Sequence, residues 1–246
     1  MAGTRADVLL VARGLFASRA KARAAIEAGG VSADGRLVTR PSELLDADAE
    51  LTAQAAHPWV GRGALKLVHA LAIWPVSPQG RVVLDVGAST GGFTQVCLSA
   101  GARRVYAIDV GRGQLAPSLA ADPRVVNLEA TDSRSLTTEQ VPEPPDLVVC
   151  DVSFIGLAKA LPAAMALAAP GAEMIVLVKP QFEAGPGAVG KGGLIKDEAV
   201  RAATLEAVKA FVAQSGWTVR SSADSPIAGG DGALEYLLWA SKKPPA

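Results

Sequence analysis

Between residues 82 and 239, seven short apolar segments alternate with segments of helical character. No other feature constrains the fold as strongly. The predicted strands span residues 82–86, 104–110, 124–128, 146–151, 174–179, 217–220 and 234–239. Alternating strands and helices predict an α/β domain with a mostly parallel sheet covered by helices on both faces. In such open sheets, ligands bind outside the carboxyl ends of the strands.

The N-terminal region has a different pattern, with two short helices and a hairpin. We predict a helix over 7–13 that ends at Gly14, and a second over 19–28 with Ser18 as its N-cap. Asp34-Gly35 is a strong hairpin-turn dipeptide. From residue 51 onward the composition is typical of a linker. We place the two domains at 1–55 and 64–246, joined by a linker at 56–63.

The charge of the chain is unevenly distributed. The whole chain has 24 basic and 24 acidic residues, which excludes nucleic-acid binding by bulk charge. Residues 1–40, however, contain seven basic and three acidic residues. Arg19 and Arg23 lie four residues apart, on one face of the predicted helix. The alternative is an ordinary solvated helix. The candidate RNA-binding residues are Arg5, Arg19, Lys21, Arg23 and Arg36.

The cysteine content and the apolar segments exclude several other classes of protein. Cys97 and Cys150 are far apart and form no Cys-x-x-Cys motif, so neither a disulfide framework nor a metal site is predicted. The most apolar stretch, 161–178, contains two prolines, a glycine and a glutamate. It predicts a helix, a turn and a strand rather than a membrane span. We expect a cytoplasmic protein without stable membrane insertion.

The first predicted strand leads into a glycine-rich turn. Its glycines are spaced Gly-x-x-x-Gly-Gly, which favours a nucleoside cofactor without a pyrophosphate. Asp109, 22 residues after Gly87, is placed to accept hydrogen bonds from ribose hydroxyls. Asp132 could accept a hydrogen bond from an adenine amine, and Asp85 could face a cationic group. The alternative is a structural turn with capping acids. The candidate cofactor-binding residues are Asp85, Gly87, Ala88, Ser89, Thr90, Gly91, Gly92, Phe93, Asp109 and Asp132.

Charged residues also lie at the ends of several predicted strands, at one edge of the sheet. Asp151 and Lys179 end strands, Glu235 lies near the start of the last strand, and Lys66 lies in a helix before the first. A free lysine titrates near about 10.4, but burial and a neighbouring ammonium lower that value. A neutral lysine could then take the proton of a weakly acidic hydroxyl as its oxygen attacks a methyl sulfonium. The alternative is four solvated strand-end charges.

Two further segments have competing interpretations. The fourth strand ends in Asp-Val-Ser-Phe rather than Asn/Asp-Pro-Pro-aromatic, which disfavours amine methylation. Cys150 could be a nucleophile for carbon methylation, but strand alternation turns it away from Asp151 and favours a buried structural thiol. Residues 183–197 contain five glycines, Lys191 and Lys196, which is typical of either a substrate lid or a plain surface loop.

Several motifs together resemble the TlyA family of ribosomal-RNA 2′-O-methyltransferases, a family also called haemolysins. They are RADVLLVARGLFASRAKARAAIEAGGV, GRGALKL, LDVGASTGGFTQ, AIDVGRGQL, CDVSFI, LVKPQFE, VGKGGLIKD and SPIAGGDGALEYLLW. The first block resembles an alpha-L RNA-binding domain, and the remainder resembles an FtsJ-like methyltransferase. Two positions depart from the family pattern: Gly61-Arg62-Gly63 replaces Arg/Ser-Gly-Gly, and Asp132 stands where asparagine is common.

The resemblance implies a specific architecture and chemistry. It implies a Rossmann-like class I methyltransferase sheet with a small N-terminal α+β RNA-binding domain. It also implies S-adenosylmethionine as cofactor, Lys66, Asp151, Lys179 and Glu235 as a catalytic tetrad, and a cytidine ribose in 16S and/or 23S rRNA as substrate. The expected partners are rRNA and ribosomal subunits; the modified nucleotide and the oligomeric state stay open.

Three other functions compete with this one. A non-enzymatic ribosome-assembly factor would be favoured by missing tetrad residues, and all four are present. A membrane-active haemolysin would need an amphipathic or apolar insertion segment. A small-molecule methyltransferase would keep its rate without residues 1–55.

Overall fold

The computed structural model describes residues 3–190, 192–229 and 232–243. Lys191, which the sequence places in the possible lid, lies outside them. The chain divides into two compact units, residues 1–58 and residues 59–246. Each unit has its own hydrophobic core.

The described part of unit 1, residues 3–58, contains two helices and five short strands. The elements are β1 (Thr4–Arg5), α1 (Ala6–Ala12), α2 (Arg19–Glu27), β2 (Val31–Ala33), β3 (Arg36–Leu37), β4 (Leu44–Leu45) and β5 (Leu51–Ala53). Strand β2 pairs antiparallel with β3 and with β5, and β1 pairs with β4. The linker-like composition from residue 51 is therefore misleading, because β5 hydrogen-bonds to β2 and Leu51 packs against the core.

The predicted local signals of unit 1 are confirmed. The Ser18 side chain accepts a hydrogen bond from the backbone N–H of Lys21 and so caps α2. Asp34 and Gly35 form the hairpin turn with φ angles of 50° and 75°, the left-handed region that this tight turn requires.

Unit 2 alternates strands and helices as predicted. Its elements are α3 (Ala64–Ile73), β6 (Val82–Val86), α4 (Gly92–Ser99), β7 (Arg104–Ile108), α5 (Pro117–Ala120), β8 (Val125–Leu128), β9 (Leu147–Cys150), α6 (Leu157–Ala160), α7 (Pro162–Leu167), β10 (Glu173–Val178), α8 (Pro180–Glu183), α9 (Glu198–Gln214), β11 (Trp217–Asp224) and β12 (Tyr236–Lys242). Two 3-10 turns lie at Ser133–Ser135 and Pro186–Ala188.

The seven strands of unit 2 form one sheet in the order β8-β7-β6-β9-β10-β12-β11. Strands β6 to β10 are mutually parallel, and β12 runs antiparallel to both of its neighbours. This confirms the predicted α/β class. Because β12 is reversed, the residue that precedes it meets the carboxyl ends of the parallel strands at one edge.

The last two strands are longer than predicted. Strand β11 extends to Asp224, and β12 spans Tyr236–Lys242 instead of 234–239, so Glu235 precedes the strand. Residues 220–224 of β11 are polar or small and are either exposed or only partly buried, so their sequence lacks the apolar pattern of a core strand. Backbone pairing to β12, interrupted by a bulge between Val219 and Ser221, holds them in the sheet.

Helices cover both faces of the sheet, so its central strands are buried on both sides. Alternate residues of one strand enter different cores: Val148 and Cys150 pack on one face, whereas Leu147 and Val149 pack on the other. These rigid, buried strands fix the positions of the polar residues that follow them.

Candidate active site

Four charged side chains predicted from the sequence meet at one edge of the sheet in unit 2. Asp151 follows β9, Lys179 follows β10, Glu235 precedes β12, and Lys66 comes from α3. The Lys66 Nζ lies 2.6 Å from Glu235 Oε2 and 3.6 Å from Asp151 Oδ2. The Lys179 Nζ lies 2.6 Å from Asp151 Oδ1. The four groups therefore form a chain of alternating charge.

This cluster is largely removed from water. Lys66, Lys179 and Glu235 are 6%, 7% and 5% exposed, and Asp151 is half-buried. Two buried ammonium groups are tolerated because two carboxylates compensate their charge. Sequence reasoning missed Ser153, whose hydroxyl accepts a hydrogen bond of 3.0 Å from the Lys179 Nζ. Its place two residues after Asp151 was the available signal.

Two glycines allow the backbone to approach the acids of the cluster. A Cβ atom at Gly63 would lie 3.2 Å from Asp151 Oδ2, and one at Gly229 would lie 2.7 Å from Glu235 Oε1. The Arg62 guanidinium donates to the carbonyl oxygens of Ala228 and Gly229 at 3.3 and 3.5 Å. The Gly61-Arg62-Gly63 sequence therefore packs directly against the cluster.

A cavity of about 1030 Å³ opens beside this cluster. Its lining includes four of the predicted cofactor residues: Gly87, Ser89, Asp109 and Asp132. It continues to Asp151, Ser153 and the aromatic residues Phe154 and Phe182. The buried Lys179 amine contacts two of these lining residues, Asp151 and Ser153.

Known proteins resemble this chain over both units. Residues 59–242 match the FtsJ-like methyltransferase family, and residues 4–51 match the S4 domain. The 16S/23S rRNA (cytidine-2′-O)-methyltransferase TlyA of Mycobacterium tuberculosis is 47% identical over 237 residues, which cover 96% of this chain and 88% of that protein.

The chain belongs to the TlyA family.

Solved structures agree with this assignment. A hemolysin-like protein from Streptococcus thermophilus superposes with a TM-score of 0.77 at 38% identity, covering 99% of this chain and 90% of that one. An S-adenosylmethionine-dependent methyltransferase from Listeria monocytogenes shares the fold at a TM-score of 0.57 and 16% identity, covering 74% of this chain and 100% of its own. The class I methyltransferase sheet predicted from the sequence is thereby confirmed.

The hydrogen-bond acceptors that line the cavity fit the adenosyl cofactor of this family. Asp109 accepts hydrogen bonds of 2.7 Å from the backbone N–H groups of Ser89 and Gly111, one on each oxygen. Each carboxylate oxygen retains a further lone pair, which a ribose hydroxyl can use. Asp132 pairs with Arg134 at 2.6 Å, and this guanidinium lowers the pKa of the Asp132 carboxyl to about 2. Two carboxylate acceptors thus line the cavity.

The other six predicted cofactor residues do not line the cavity but build the turn beneath it. Gly91 has a φ of 93°, and Thr90 is exposed. Ala88, Gly92 and Phe93 are buried. The Asp85 side chain is fully buried and accepts a 2.6 Å hydrogen bond from the Thr94 hydroxyl of α4. Burial raises the pKa of Asp85 to about 7. Asp85 is therefore not placed to contact a cationic ligand directly.

Phe154 is an aromatic residue of the cavity that sequence reasoning did not single out. It is 91% exposed, has a φ of 66°, and its ring lies 5.1 Å from that of Phe182. A phenylalanine so exposed in a left-handed backbone conformation is unusual. The only sequence signal was its place in the CDVSF segment, next to Asp151.

Cys150 is buried in the core of the TlyA-family sheet. It is fully inaccessible, and burial raises the pKa of its thiol to about 12. This agrees with the structural thiol favoured by strand alternation and argues against a nucleophilic role.

The glycine-rich segment over 183–197 borders the cavity at one end. Gly185 and Val189 line it, and Asp197 ends the segment by capping α9. A role as a lid stays a prediction.

The predicted RNA-binding residues of the S4 unit divide into two groups. Arg5 and Arg19 both contact the buried Asp7, and Arg36 pairs with Glu43 at 2.6 Å. Lys21 and Arg23 are exposed on α2. Throughout the described parts of both units, no helix has the length and apolar character needed to cross a membrane.

Proposed function

We propose that this protein transfers the methyl group of S-adenosylmethionine to the 2′-hydroxyl of a cytidine ribose in 16S and/or 23S rRNA. The observation that carries the proposal is the buried Lys66–Asp151–Lys179–Glu235 cluster beside the cavity. Its relative from Mycobacterium tuberculosis is named for this reaction. The S4 unit supports RNA as the substrate.

The cofactor supplies a methyl carbon made electrophilic by a sulfonium. Asp109 and Asp132 would hold its ribose and adenine, since carboxylates accept from hydroxyl and amine donors. Gly87 and Ser89 line the same end of the cavity through the turn after β6. Asp151 and Ser153 line the same cavity.

Lys179 is the proposed base. In its neutral form, the Lys179 amine takes the proton of the 2′-hydroxyl while the hydroxyl oxygen forms a bond to the methyl carbon and the carbon–sulfur bond breaks. Asp151 and Ser153 orient the Lys179 amine at 2.6 and 3.0 Å. Glu235 holds Lys66 at 2.6 Å, which places a second cation 3.6 Å from Asp151. Alignment of oxygen, carbon and sulfur supplies much of the remaining rate enhancement.

Phe154 offers a surface for the target nucleotide. RNA bases that leave a stack are commonly received by aromatic side chains. The Phe154 ring is exposed in the cavity, only three residues beyond Asp151. Stacking of the cytosine on this ring would bring its ribose toward Lys179.

The rRNA substrate places the proposed activity in the cytoplasm, on ribosomal subunits or their precursors. An S4 unit that binds rRNA would bring the methyltransferase unit to such a particle.

Methyl transfer to purified 30S and 50S subunits tests the proposal, with labelled S-adenosylmethionine as the methyl donor. We compare the unaltered protein, Lys179→Ala, and Lys209→Ala as the matched control. Lys209 is a lysine of α9 paired with Glu206. We expect rRNA that resists alkaline cleavage at one ribose, made by the unaltered protein and the control but not by Lys179→Ala. Equal labelling by Lys179→Ala would refute the proposed base. Absence of labelling by the unaltered protein, with cofactor bound, would refute the reaction and favour an assembly factor.

A further inference from the structure

Asp7 of unit 1 is a buried carboxylate that receives two arginines. Arg5 donates from Nε to Oδ1 at 3.0 Å and from Nη2 to Oδ2 at 3.2 Å. Arg19 donates to Oδ2 from Nε at 3.2 Å and from Nη2 at 2.8 Å. The Asp7 side chain is inaccessible, whereas those of Arg5 and Arg19 are 44% and 58% exposed.

The bonds to Asp7 use the same edge of both guanidinium groups. A guanidinium has five N–H donors, and its two bidentate edges are Nε–Nη2 and Nη1–Nη2. Asp7 takes the Nε–Nη2 edge of Arg5 and of Arg19. The Nη1–Nη2 edge of each is not committed to Asp7, and it is the edge suited to bidentate phosphate binding.

The fold brings these three residues together from separate segments. Arg5 ends β1, Asp7 lies in the first turn of α1, and Arg19 is the first residue of α2. The two helices pack against each other, and Leu10 of α1 and Ile26 of α2 are both buried in the core of unit 1. The arginines hold the pKa of the Asp7 carboxyl at about 2, so it stays ionised at neutral pH.

We propose that Asp7 is a positioning residue that fixes Arg5 and Arg19 as one preorganised binding site for RNA backbone phosphate. This inference rests on the proposed function, because it names how the S4 unit holds its rRNA. The site has one anion and two cations, so it keeps a net positive charge. Fixing the arginines in advance lowers the entropy lost when RNA binds.

A positioning role and a simple charge effect predict opposite results for Asp7→Asn. Removing a negative charge beside RNA should strengthen binding if net charge alone matters. If Asp7 positions the two arginines, the same substitution frees both side chains and weakens binding. Asp34→Asn is the matched control: it removes one charge from the same unit, and its Oδ1 can still accept from the backbone N–H of Glu50.

The experiment measures the affinity of the full-length protein for fluorescently labelled 30S and 50S subunits over a range of salt concentrations. We expect Asp7→Asn to bind about tenfold more weakly, because charge-assisted phosphate contacts are lost. Asp34→Asn should bind at least as tightly as the unaltered protein. In methyl transfer, Asp7→Asn should raise KM for the subunit and leave kcat unchanged. Binding by Asp7→Asn as tight as that of the unaltered protein would overturn the proposal.

Two further variants separate positioning from loss of folding. In an Arg5→Ala/Arg19→Ala background, Asp7→Asn should cause no further loss of affinity; a further loss of the same size would assign Asp7 a structural role only. Arg5→Lys/Arg19→Lys keeps both charges but loses the fork that Asp7 grips, and should bind more weakly with helical circular dichroism retained. Unchanged affinity in this lysine variant would also overturn the proposal.

Failure of this inference is distinguishable from failure of the proposed function. Subunit binding is read without methyl transfer, so the phosphate site can be refuted while the labelling assay still succeeds. Conversely, weak binding by Asp7→Asn would support the site even if no label entered the rRNA.

Discussion

Asp85 illustrates how burial changes the chemistry of a single residue. Its position at the end of β6 suggested a carboxylate facing a cationic ligand. The structure instead buries it completely against α4, where Thr94 donates to Oδ2, and among the described residues Oδ1 has no hydrogen-bond partner. Burial raises the pKa of Asp85 to about 7, so the carboxyl takes up a proton near neutrality.

The raised pKa predicts a pH-dependent stability for unit 2. Between about pH 4 and pH 7 the folded state holds a proton on Asp85 that the unfolded state lacks, so the free energy of unfolding falls as pH rises. Asp85→Asn removes this pH dependence, which amounts to about 4 kcal/mol because the pKa of Asp85 rises from 3.8 to about 7 on folding. The free energy of unfolding of Asp85→Asn, relative to that of the unaltered protein, should therefore rise as the pH increases from roughly 4.5 to roughly 7.5.

Tryptophan fluorescence during urea unfolding provides the measurement. All four tryptophans lie in residues 59–246, so the signal reports unit 2 alone. Parallel pH profiles for the two proteins would show that Asp85 is ionised in the folded state.

At the scale of an element, the turn between β6 and α4 shows how backbone conformation and tertiary packing together constrain one residue. Gly91 precedes α4 with a φ of 93°, and a Cβ atom there would overlap Leu119 Cδ1. The glycine is thus required twice, for its backbone conformation and for the space beside α5. The second requirement is invisible in the sequence, because Leu119 is 28 residues away.

Gly91→Ala should destabilise unit 2 by about 2 kcal/mol or more, since it combines backbone strain with a steric clash. It should also weaken cofactor binding, because Ser89 of the same turn lines the cavity. Gly113→Ala is the control, with a φ of 62° and no atom within 4 Å of the added Cβ. It should cost only the backbone term, about 1 kcal/mol. Equal unfolding free energies for the two variants would contradict the packing contribution of Leu119.

At the scale of the whole molecule, two units divide the proposed work between rRNA binding and methyl transfer. Each has its own core, and the boundary after Pro58 leaves Trp59 and Val60 packed against the core of unit 2. A truncated protein should accordingly begin at Trp59 rather than at residue 64, the sequence-based domain start.

The 59–246 fragment should bind S-adenosylmethionine with an affinity within about twofold of the full chain, since every cavity residue is retained. It should methylate subunits at least about tenfold more slowly, because the phosphate contacts of unit 1 are lost. Calorimetry and the labelling assay check the two expectations separately. Full activity of the fragment on subunits would exclude a substrate-binding role for unit 1.

Much of this protein was determined by local sequence signals. Alternating strands and helices set the fold class, the Ser18 cap and the Asp34-Gly35 turn set unit 1, and strand-end positions selected Asp151 and Lys179. Such signals are local because hydrophobic period, capping and turn chemistry act within a few residues. Contacts between distant segments were decided only by the tertiary structure. Four features depend on such contacts: the bond between Ser153 and Lys179, the close approach of glycines to the acids, the burial of Asp85, and the Arg5–Asp7–Arg19 cluster. Each needs segments that are separate in the sequence to pack together, and no local pattern encodes that packing.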